Sequence, residues 1–193
     1  MTAIPEIRAP LRELPRYWPD RRLPAYRYVP GLHPHPTRDP RGHSHAGEAS
    51  LPATGPWDPA AWAELAQWLW GVDLFNRFYF WEAHEAWEDL WRSAPRNSAP
   101  GLMLQGLIQI SAALLKSHMG ALAASHRLST AGIDKLNLVA GRTPALMGLD
   151  VTGTRNDMQT YFCPLADDVL PVLDGSVPTL RLAASRTPAE RRR

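Results

Sequence analysis

The stretch Phe80-Trp-Glu-Ala-His-Glu-Ala-Trp-Glu-Asp-Leu-Trp91 combines three tryptophans, one histidine and three glutamates in a single predicted helix. Each residue of an α-helix advances about 100°, so residues 80, 84, 87, 88 and 91 share one stripe. Because this stripe carries large aromatic rings, we predict that it faces the core. His84 and Glu88 then lie one turn apart among aromatic side chains, where a polar group must be hydrogen-bonded, paired or bound to a metal. The neighbouring charged residues fall on another side of the helix, open to water: Glu82, Glu85, Asp89 and Arg92.

The spacing of His84 and Glu88 is compatible with two kinds of chemistry. A histidine and a carboxylate at positions i and i+4 can supply two ligands to Zn²⁺, Mn²⁺ or Fe²⁺, and further ligands must then come from elsewhere. The same pair can instead act in general acid–base catalysis, with Glu88 orienting the imidazole. The pattern differs from the His-Glu-x-x-His zinc motif, and no nucleophile motif or phosphate-binding glycine loop accompanies it. Whether the protein is an enzyme therefore stays open.

A second polar stripe lies on the next predicted helix, at residues 105, 109, 112 and 116. Gln105 and Gln109 are one turn apart in an apolar helix, so their amides need partners. An economical arrangement places them opposite the histidine and glutamate of the opening stretch. The alternative is that they bond to each other, to loop backbone or to solvent. The residues expected to face a ligand are Gln105, Gln109, Trp91 and Lys116.

Apolar periodicity and turn residues predict an all-α fold, a compact bundle of about four principal helices plus short helices near the carboxyl terminus. The predicted helices run from Asp58 to Gly71, Leu74 to Ser93, Pro100 to Met119, Ala121 to Ala140 and Val151 to Phe162. The predicted N-caps of the first, second and fifth helices are Asp58, Asp73 and Asp150. No alternating segment is long enough to build a sheet. We divide the chain into an extended arm (1–56), a helical domain (57–172) and an irregular tail (173–193).

The arm is rich in proline, arginine and histidine. It holds more than half of the 19 prolines, which exclude any long helix or central strand. It also contains four of the seven histidines, in two alternating pairs: His33, His35, His43 and His45. These pairs have the spacing of metal ligands on extended backbone. The alternative is a polar loop whose histidines cap turns or meet solvent.

The overall composition favours a cytoplasmic protein. The net charge of +2 gives no strong signal for a nucleic-acid or anionic-membrane partner. The lone cysteine, Cys163, excludes an intrachain disulfide framework and fits a reducing compartment. Pro5, Glu6 and Pro10 interrupt the place where a signal peptide needs an apolar core. The uncharged run from Asn97 to Leu115 is predicted to be a buried helix and not a membrane span.

The second and third predicted helices resemble those of the domain-of-unknown-function 309 (DUF309) family of prokaryotic proteins. That family is described by a His-x-x-x-Glu-x-x-Trp/Tyr motif, matched here by His84, Glu88 and Trp91. The resemblance implies a compact all-helical fold and a motif suggested, without an assigned reaction, to bind metal. The similarity covers roughly residues 60–140 and includes Asn76, Gln105-Gly-Leu-Ile-Gln109 and Ala112-Ala-Leu-Leu-Lys116.

Two further segments bear on this resemblance. Pro34-His35-Pro36 and Gly42-His43-Ser44 resemble an amino-terminal extension of some members, which favours His35 and His43 over the other arm histidines. The chain departs from the family pattern after the third helix. Members often have an Arg-Gly-Asn-like turn where this chain has His118-Met-Gly-Ala121.

The sequence leaves two hypotheses. In the first, His84 and Glu88 build a metal or small-ligand site. Its candidate ligands to a divalent metal (Zn, Mn or Fe) are His84, Glu88, Glu85, Glu82, His35 and His43. In the second, the protein is a structural or interaction module in which His84, Glu88 and the two glutamines form a closed polar network that fixes helix register. The tryptophans then build the core and a homodimer surface.

Overall fold

The computed structural model describes residues 4–10, 13–45 and 55–183. The α-helices are α1 (Ala66–Phe75), α2 (Phe80–Ser93), α3 (Ala99–His118), α4 (Leu122–Ala140) and α5 (Val151–Phe162). Short 3₁₀ helices cover Pro59–Glu64 and Cys163–Asp167, and the two-residue strands β1 (Ala145–Leu146) and β2 (Leu149–Asp150) pair antiparallel. The described part of the chain is mostly helical, which confirms the predicted fold class.

Each helix packs on the next along the chain, so that α1, α2, α3, α4 and α5 form one connected bundle. The bundle closes over an aromatic centre. The Trp87 ring lies 6.0 Å from that of Trp68 and 5.9 Å from that of Phe75, measured between centroids. All three side chains are fully buried, and each contributes roughly 1.5–3 kcal/mol through burial.

Two helices begin at the side-chain caps that the sequence predicts for them. The Asp58 carboxylate accepts a hydrogen bond from Ala60 N at the start of the first 3₁₀ helix. Asp150 Oδ1 accepts one from Gly153 N at 2.9 Å at the start of α5, as predicted. Such caps satisfy amides that have no partner within the helix. The ends of α3, α4 and α5 lie within one residue of the predicted ends.

Helix α3 contains most of the uncharged run predicted to be a buried helix. Its residues Met103, Leu104 and Leu107 are fully buried between neighbouring helices. Within the described ranges, no helix combines the length and the apolar character needed to cross a bilayer.

The prediction that Gly71 ends the first helix is wrong, because Gly71 lies inside α1. A Cβ atom at this position would collide with the indole nitrogen of Trp87. The glycine therefore permits close contact between α1 and α2 and does not end a helix. The break lies further along the chain, between α1 and α2, where Phe78 has a φ of 65°. Asp73, predicted to cap the second helix, is consequently an interior residue of α1.

Helix α2 buries a different line of residues from the one predicted. The fully buried positions on the bundle side are Phe80, Ala83, Trp87 and Leu90. The inward orientation predicted for His84 and Glu88 is wrong, since these side chains lie on the flank and are only partly buried. Trp91 is partly buried and packs against the core. The prediction ranked positions by aromatic size, whereas packing selects the side on which a small residue, Ala83, lets the helices approach closely.

The arm has turns but neither helix nor strand over residues 4–10 and 13–45, as its prolines predict. It packs on the bundle through apolar side chains, and Val29 and Ile7 are buried in the same core as the helices. Residues 46–54 of the predicted arm lie outside the described residues.

The segment after α5 also packs on the bundle. Leu182 pairs with Leu149 in an isolated β-bridge, and Ala183 N donates to Gly148 O at 2.7 Å. Residues 184–193, the end of the predicted tail, lie outside the described residues.

Candidate functional site

Helix α2 brings the side chains of His84, Glu85 and Glu88 together on one flank. Their potential ligand atoms, one imidazole nitrogen and two carboxylate oxygens, all lie within 4.8 Å of one another. His84 and Glu88 are partly buried and Glu85 is exposed. Across residues 4–10, 13–45 and 55–183, no other group of three His, Cys, Asp or Glu side chains meets this distance.

Ion pairs on the same flank orient the Glu88 carboxylate. Its Oε1 lies 3.0 Å from Nη2 of Arg92, one turn further along α2. Its Oε2 lies 3.7 Å from Nε2 of His84, which is too long for a hydrogen bond. Arg92 also approaches Asp89, at 3.7 Å. One oxygen of Glu88 is therefore held by Arg92, while the other points toward His84 and remains available.

The environment of His84 keeps its imidazole neutral near pH 7. Burial lowers the pKa of His84 from its usual 6.5, the negative charge of Glu88 opposes that change, and the positive charge of Arg92 adds to it. A neutral imidazole offers a lone pair, which is the form that binds metal ions.

Glu85 is more basic than an ordinary glutamate. Desolvation by the surrounding protein raises the pKa of Glu85 first of all, although part of the side chain is open to solvent. The carboxylates of Glu88 and Asp89 raise it further, whereas Arg92 and Arg38 lower it. A bound cation would reduce the repulsion between these neighbouring carboxylates.

Glu82 belongs to a different contact set, on the side of α2 that the arm covers. Its side chain is only 5% exposed, contrary to the predicted solvent-facing position. Glu82 Oε1 accepts hydrogen bonds from Tyr28 N at 2.9 Å and from His43 Nε2 at 3.0 Å. Glu82 Oε2 is buried and has no hydrogen-bond partner in the described residues.

The two arm histidines favoured by the sequence lie beside this glutamate and not in the His84 cluster. His43 bonds to Glu82, and its side chain is 5% exposed. The His35 ring packs edge-on against Trp81 with centroids 5.5 Å apart. The structure thus brings the arm to α2, but it joins His35 and His43 to the first turn of the helix.

The predicted glutamine stripe of α3 is partly buried. Gln109 Oε1 is buried and has no hydrogen-bond partner among the described residues. Neither Gln105 nor Gln109 hydrogen-bonds to His84 or Glu88 in the part of the chain that the structure describes. Lys116 and Trp91 are partly buried as well, and among the described residues neither makes a hydrogen bond or ion pair to the cluster.

The helices that carry these residues match a known family. A family model for a domain of unknown function, DUF309, matches residues 68–128, from the first turn of α1 into α4. This segment is similar to the DUF309 family. It contains the whole His84, Glu85 and Glu88 cluster and the glutamine stripe, whereas the arm precedes it. The description of DUF309 assigns no activity, and no curated protein matches the chain.

Two buried polar residues within the matched segment anchor other parts of the chain, and the sequence analysis did not identify them as anchors. Asp73 is fully buried and accepts hydrogen bonds from Tyr17 N at 2.8 Å, Trp18 N at 2.9 Å and Arg16 Nε at 3.0 Å. A lone acidic residue in the apolar run Trp70-Gly-Val-Asp-Leu-Phe75 was the available signal, since a buried charge must be paired.

Asn76 ties the segment after α5 to the bundle. Its Nδ2 donates to Leu180 O and its Oδ1 accepts from Leu180 N, both at 2.8 Å. This reciprocal pair satisfies the backbone of Leu180 as a neighbouring strand would. The sequence marked Asn76 only through its part in the family resemblance.

Proposed function

We propose that this protein binds a divalent transition-metal ion through His84, Glu85 and Glu88. The observation that supports the proposal is the convergence of one nitrogen and two oxygen ligand atoms within 4.8 Å. Such a mixed set suits Zn²⁺, Mn²⁺ or Fe²⁺.

The distances are compatible with this role. Metal–ligand bonds of about 2.0–2.2 Å place neighbouring ligand atoms roughly 3–4 Å apart. The 3.7 Å between His84 Nε2 and Glu88 Oε2 already lies in that range. Glu85 is exposed, so its side chain can turn the remaining distance without disturbing the core.

The surroundings fit a metal site as well. The bond from Arg92 to Glu88 Oε1 at 3.0 Å fixes the carboxylate from outside, as partners behind metal ligands commonly do. With three protein ligands, the ion keeps open positions for water or for a small ligand. Glu88 and His84 then bind the ion, and Glu85 closes the site from the solvent side.

A structural network built on the same residues has less support. Such a network needs each polar group paired at about 3 Å. The His84–Glu88 separation is 3.7 Å, and Gln109 Oε1 has no partner in the described residues. The paired buried carboxylates are instead Asp73 and Glu82, which hold the arm.

Metal content tests the proposal directly. The full chain, purified without an affinity tag, is incubated with Zn²⁺, Mn²⁺ or Fe²⁺ under anaerobic conditions, dialysed and measured by elemental mass spectrometry. We expect close to one ion per chain in the wild type and almost none in His84→Ala or in Glu88→Gln. His126→Ala is the matched control, because His126 is an exposed histidine of α4 and should leave the metal content unchanged.

Thermal melting distinguishes loss of the site from loss of the fold. The variants should melt within a few degrees of the metal-free wild type, since His84 and Glu88 lie on the flank of α2. A wild type that retains no ion, or a His84→Ala variant that retains the full amount, would contradict the proposal.

A further inference from the structure

One buried carboxylate holds both ends of the loop of the arm between Tyr28 and His43. Glu82 Oε1 accepts from Tyr28 N at 2.9 Å at one end and from His43 Nε2 at 3.0 Å at the other. Because the side chains of Glu82 and His43 are each 5% exposed, water competes little for the bond between them. Glu82 therefore clamps the loop to the first turn of α2 and fixes the orientation of the His43 ring.

The other ring nitrogen of His43 faces a hydroxyl group. His43 Nδ1 and Ser44 Oγ lie 2.8 Å apart. An ionised carboxylate only accepts hydrogen bonds, so in the neutral ring the Nε2 that faces Glu82 carries the proton. Nδ1 then offers a lone pair, and the Ser44 hydroxyl donates to it. A serine, an imidazole and a buried carboxylate are thus joined in one chain of hydrogen bonds.

This arrangement is the one that activates a serine for nucleophilic attack. The nucleophile and its base lie within hydrogen-bond reach, and a third group orients the base. Triads of this kind are recognised by geometry and roles, so the adjacent positions of His43 and Ser44 in the chain are compatible with one. Compared with the serine protease triad, the two ring nitrogens exchange roles.

The buried carboxylate is also suited to the charge that such a reaction creates. Glu82 Oε2 is buried and has no hydrogen-bond partner among the described residues. When His43 takes the serine proton, it becomes an imidazolium next to this carboxylate. The negative charge of Glu82 then stabilises the positive ring.

The turn around Ser44 limits the substrates that can react. The amides of Gly42, Ser44 and His45 donate to carbonyl oxygens within the turn, at 2.8, 3.0 and 3.1 Å. These amides are therefore occupied and cannot bind a developing oxyanion, as the amides of many acyl-transfer enzymes do. Ser44 is half-buried, so that solvent can bind the oxyanion instead. Only substrates with a good leaving group are expected to react at such a site.

We infer that Ser44, His43 and Glu82 form a hydrolytic site that acts on activated carboxylic esters, such as aryl esters and thioesters. Ser44 Oγ attacks the carbonyl carbon and its proton passes to His43 Nδ1, which returns the proton to the leaving oxygen or sulfur as that bond breaks. Water then cleaves the Ser44 ester by the same route, which releases the carboxylic acid and restores the hydroxyl. Ser44 and His43 are the catalytic residues, and Glu82 is a positioning residue. The reaction needs no metal ion.

The test is labelling of the full chain with a fluorophosphonate ester in the presence of EDTA, followed by mass spectrometry of the intact protein and of its peptides. An activated serine hydroxyl displaces fluoride from this probe, so we expect a single adduct, on Ser44. Hydrolysis of p-nitrophenyl acetate should be about tenfold or more faster than in Ser44→Ala, the lower range of general-base catalysis. Ser176→Ala is the matched control, because the exposed Ser176 Oγ donates to Asp174 Oδ1 and not to an imidazole. It should retain the adduct and the rate.

Two further variants separate catalysis from folding. Glu82→Gln keeps an oxygen that can accept from Tyr28 N and His43 Nε2, so amide hydrogen exchange of residues 26–45 should be unchanged. Removing the charge should still slow labelling by about tenfold or more. His43→Ala should label slowly, and added imidazole should restore part of the rate, which it would not do if His43 only supported the loop.

The outcomes decide the inference whether or not the metal site exists, because EDTA is present throughout. No adduct on Ser44 in the wild type, or labelling of Ser44 no faster than that of Ser176, would overturn it. A Glu82→Gln variant with wild-type exchange and wild-type labelling would overturn the role of Glu82. If Glu82→Gln alters the exchange of the loop, the response of His43→Ala to imidazole decides the role of the base.

Discussion

Buried and flanking carboxylates have different tasks in this protein. Asp73 is fully buried, and the hydrogen bonds that it accepts from the arm match its charge. Glu85 and Glu88 lie where solvent and ligands reach them, and their charges are only partly matched by Arg92. A charge that folding has already paired contributes stability, whereas a cluster of unmatched charges is suited to an external partner.

Asp73→Ala should destabilise the protein by about 3 kcal/mol, because it leaves two partly buried backbone amides and Arg16 without their acceptor. Urea unfolding followed by circular dichroism measures the effect. Asp89→Ala is the control, since Asp89 is an exposed carboxylate of α2 and its loss should change stability by less than about 0.5 kcal/mol. Equal effects of the two substitutions would contradict the assignment of Asp73 as an anchor of the arm.

Metal binding should weaken as the pH falls below 6.5. A proton and a metal ion compete for the His84 imidazole, so affinity drops about tenfold per pH unit below the pKa of that group. Burial, opposed by Glu88, holds the pKa of His84 below 6.5, so affinity should be level above that value. At more acidic pH, protonation of Glu85, whose pKa desolvation raises, steepens the loss.

Chelator-competition titrations of Mn²⁺ at pH 7.5, 6.5 and 5.5 check this dependence, with His126→Ala as the control that should follow the wild type. A fall in affinity that begins well above pH 6.5 would show that the proton competes at a group other than His84.

Three sides of helix α2 have different environments. One packs into the bundle through Trp87 and its neighbours, a second holds the arm through Glu82, and the third carries the cluster around His84. A helix that is covered on two sides cannot move freely, and a rigid element is what a metal site with short bonds requires.

The crossing of α3 and α4 depends on two glycines. A Cβ atom added at Gly132 would lie 2.8 Å from Gly106 O and 2.9 Å from the Ile110 side chain. Gly132→Ala should therefore destabilise the protein by about 1–3 kcal/mol, although alanine favours helix formation. Gly141→Ala is the control: Gly141 has a φ of −65° and an open environment, so the change should be neutral or slightly stabilising. Thermal melting of both variants compares them.

Sequence patterns predicted the later helices well and the junction of the first two poorly. Asp150 and the turn at Gly120 mark boundaries by local chemistry, which a sequence displays. In the sequence, Gly71 resembles a glycine that ends a helix. Its actual role is to leave room for the Trp87 indole, which packs where a Cβ atom would lie. This contact joins residues that are distant in the chain. The flank position of His84 was missed for the same reason, since it depends on which side of α2 meets the bundle.

The arm and the bundle fold as one packed unit over the described residues. Arg77 on the bundle donates to Leu14 O at 2.6 Å, Tyr79 OH donates to Pro24 O at 3.1 Å, and Glu82 holds the loop after Tyr28. An irregular segment held at several points retains its shape without helix or strand, because its backbone groups find partners on the domain.

Loss of the Glu82 clamp should loosen the loop of the arm and leave the bundle intact. In Glu82→Ala we expect faster amide hydrogen exchange in peptides covering residues 26–45 and unchanged exchange in peptides from α3. Glu64→Ala, an exposed glutamate of the first 3₁₀ helix, is the control. Unchanged exchange in the loop, or equal acceleration throughout the chain, would contradict the clamp.

The sequence named His35 and His43 as candidate ligands but could not show what they contact. An irregular segment has no periodicity that would predict which residues it contacts. His43 and Glu82, which bond to each other, are 39 residues apart in the chain. The cluster itself was within reach, since His84, Glu85 and Glu88 are neighbours on one helix.

Anomalous diffraction from a crystal grown with Mn²⁺ or Zn²⁺ tests the central claim most directly. We predict one strong peak about 2.0–2.2 Å from an imidazole nitrogen of His84 and from carboxylate oxygens of Glu85 and Glu88. A peak bound by other residues, such as the arm histidines, or no peak at a metal concentration well above that of the protein, would contradict the assignment of this cluster as a metal site.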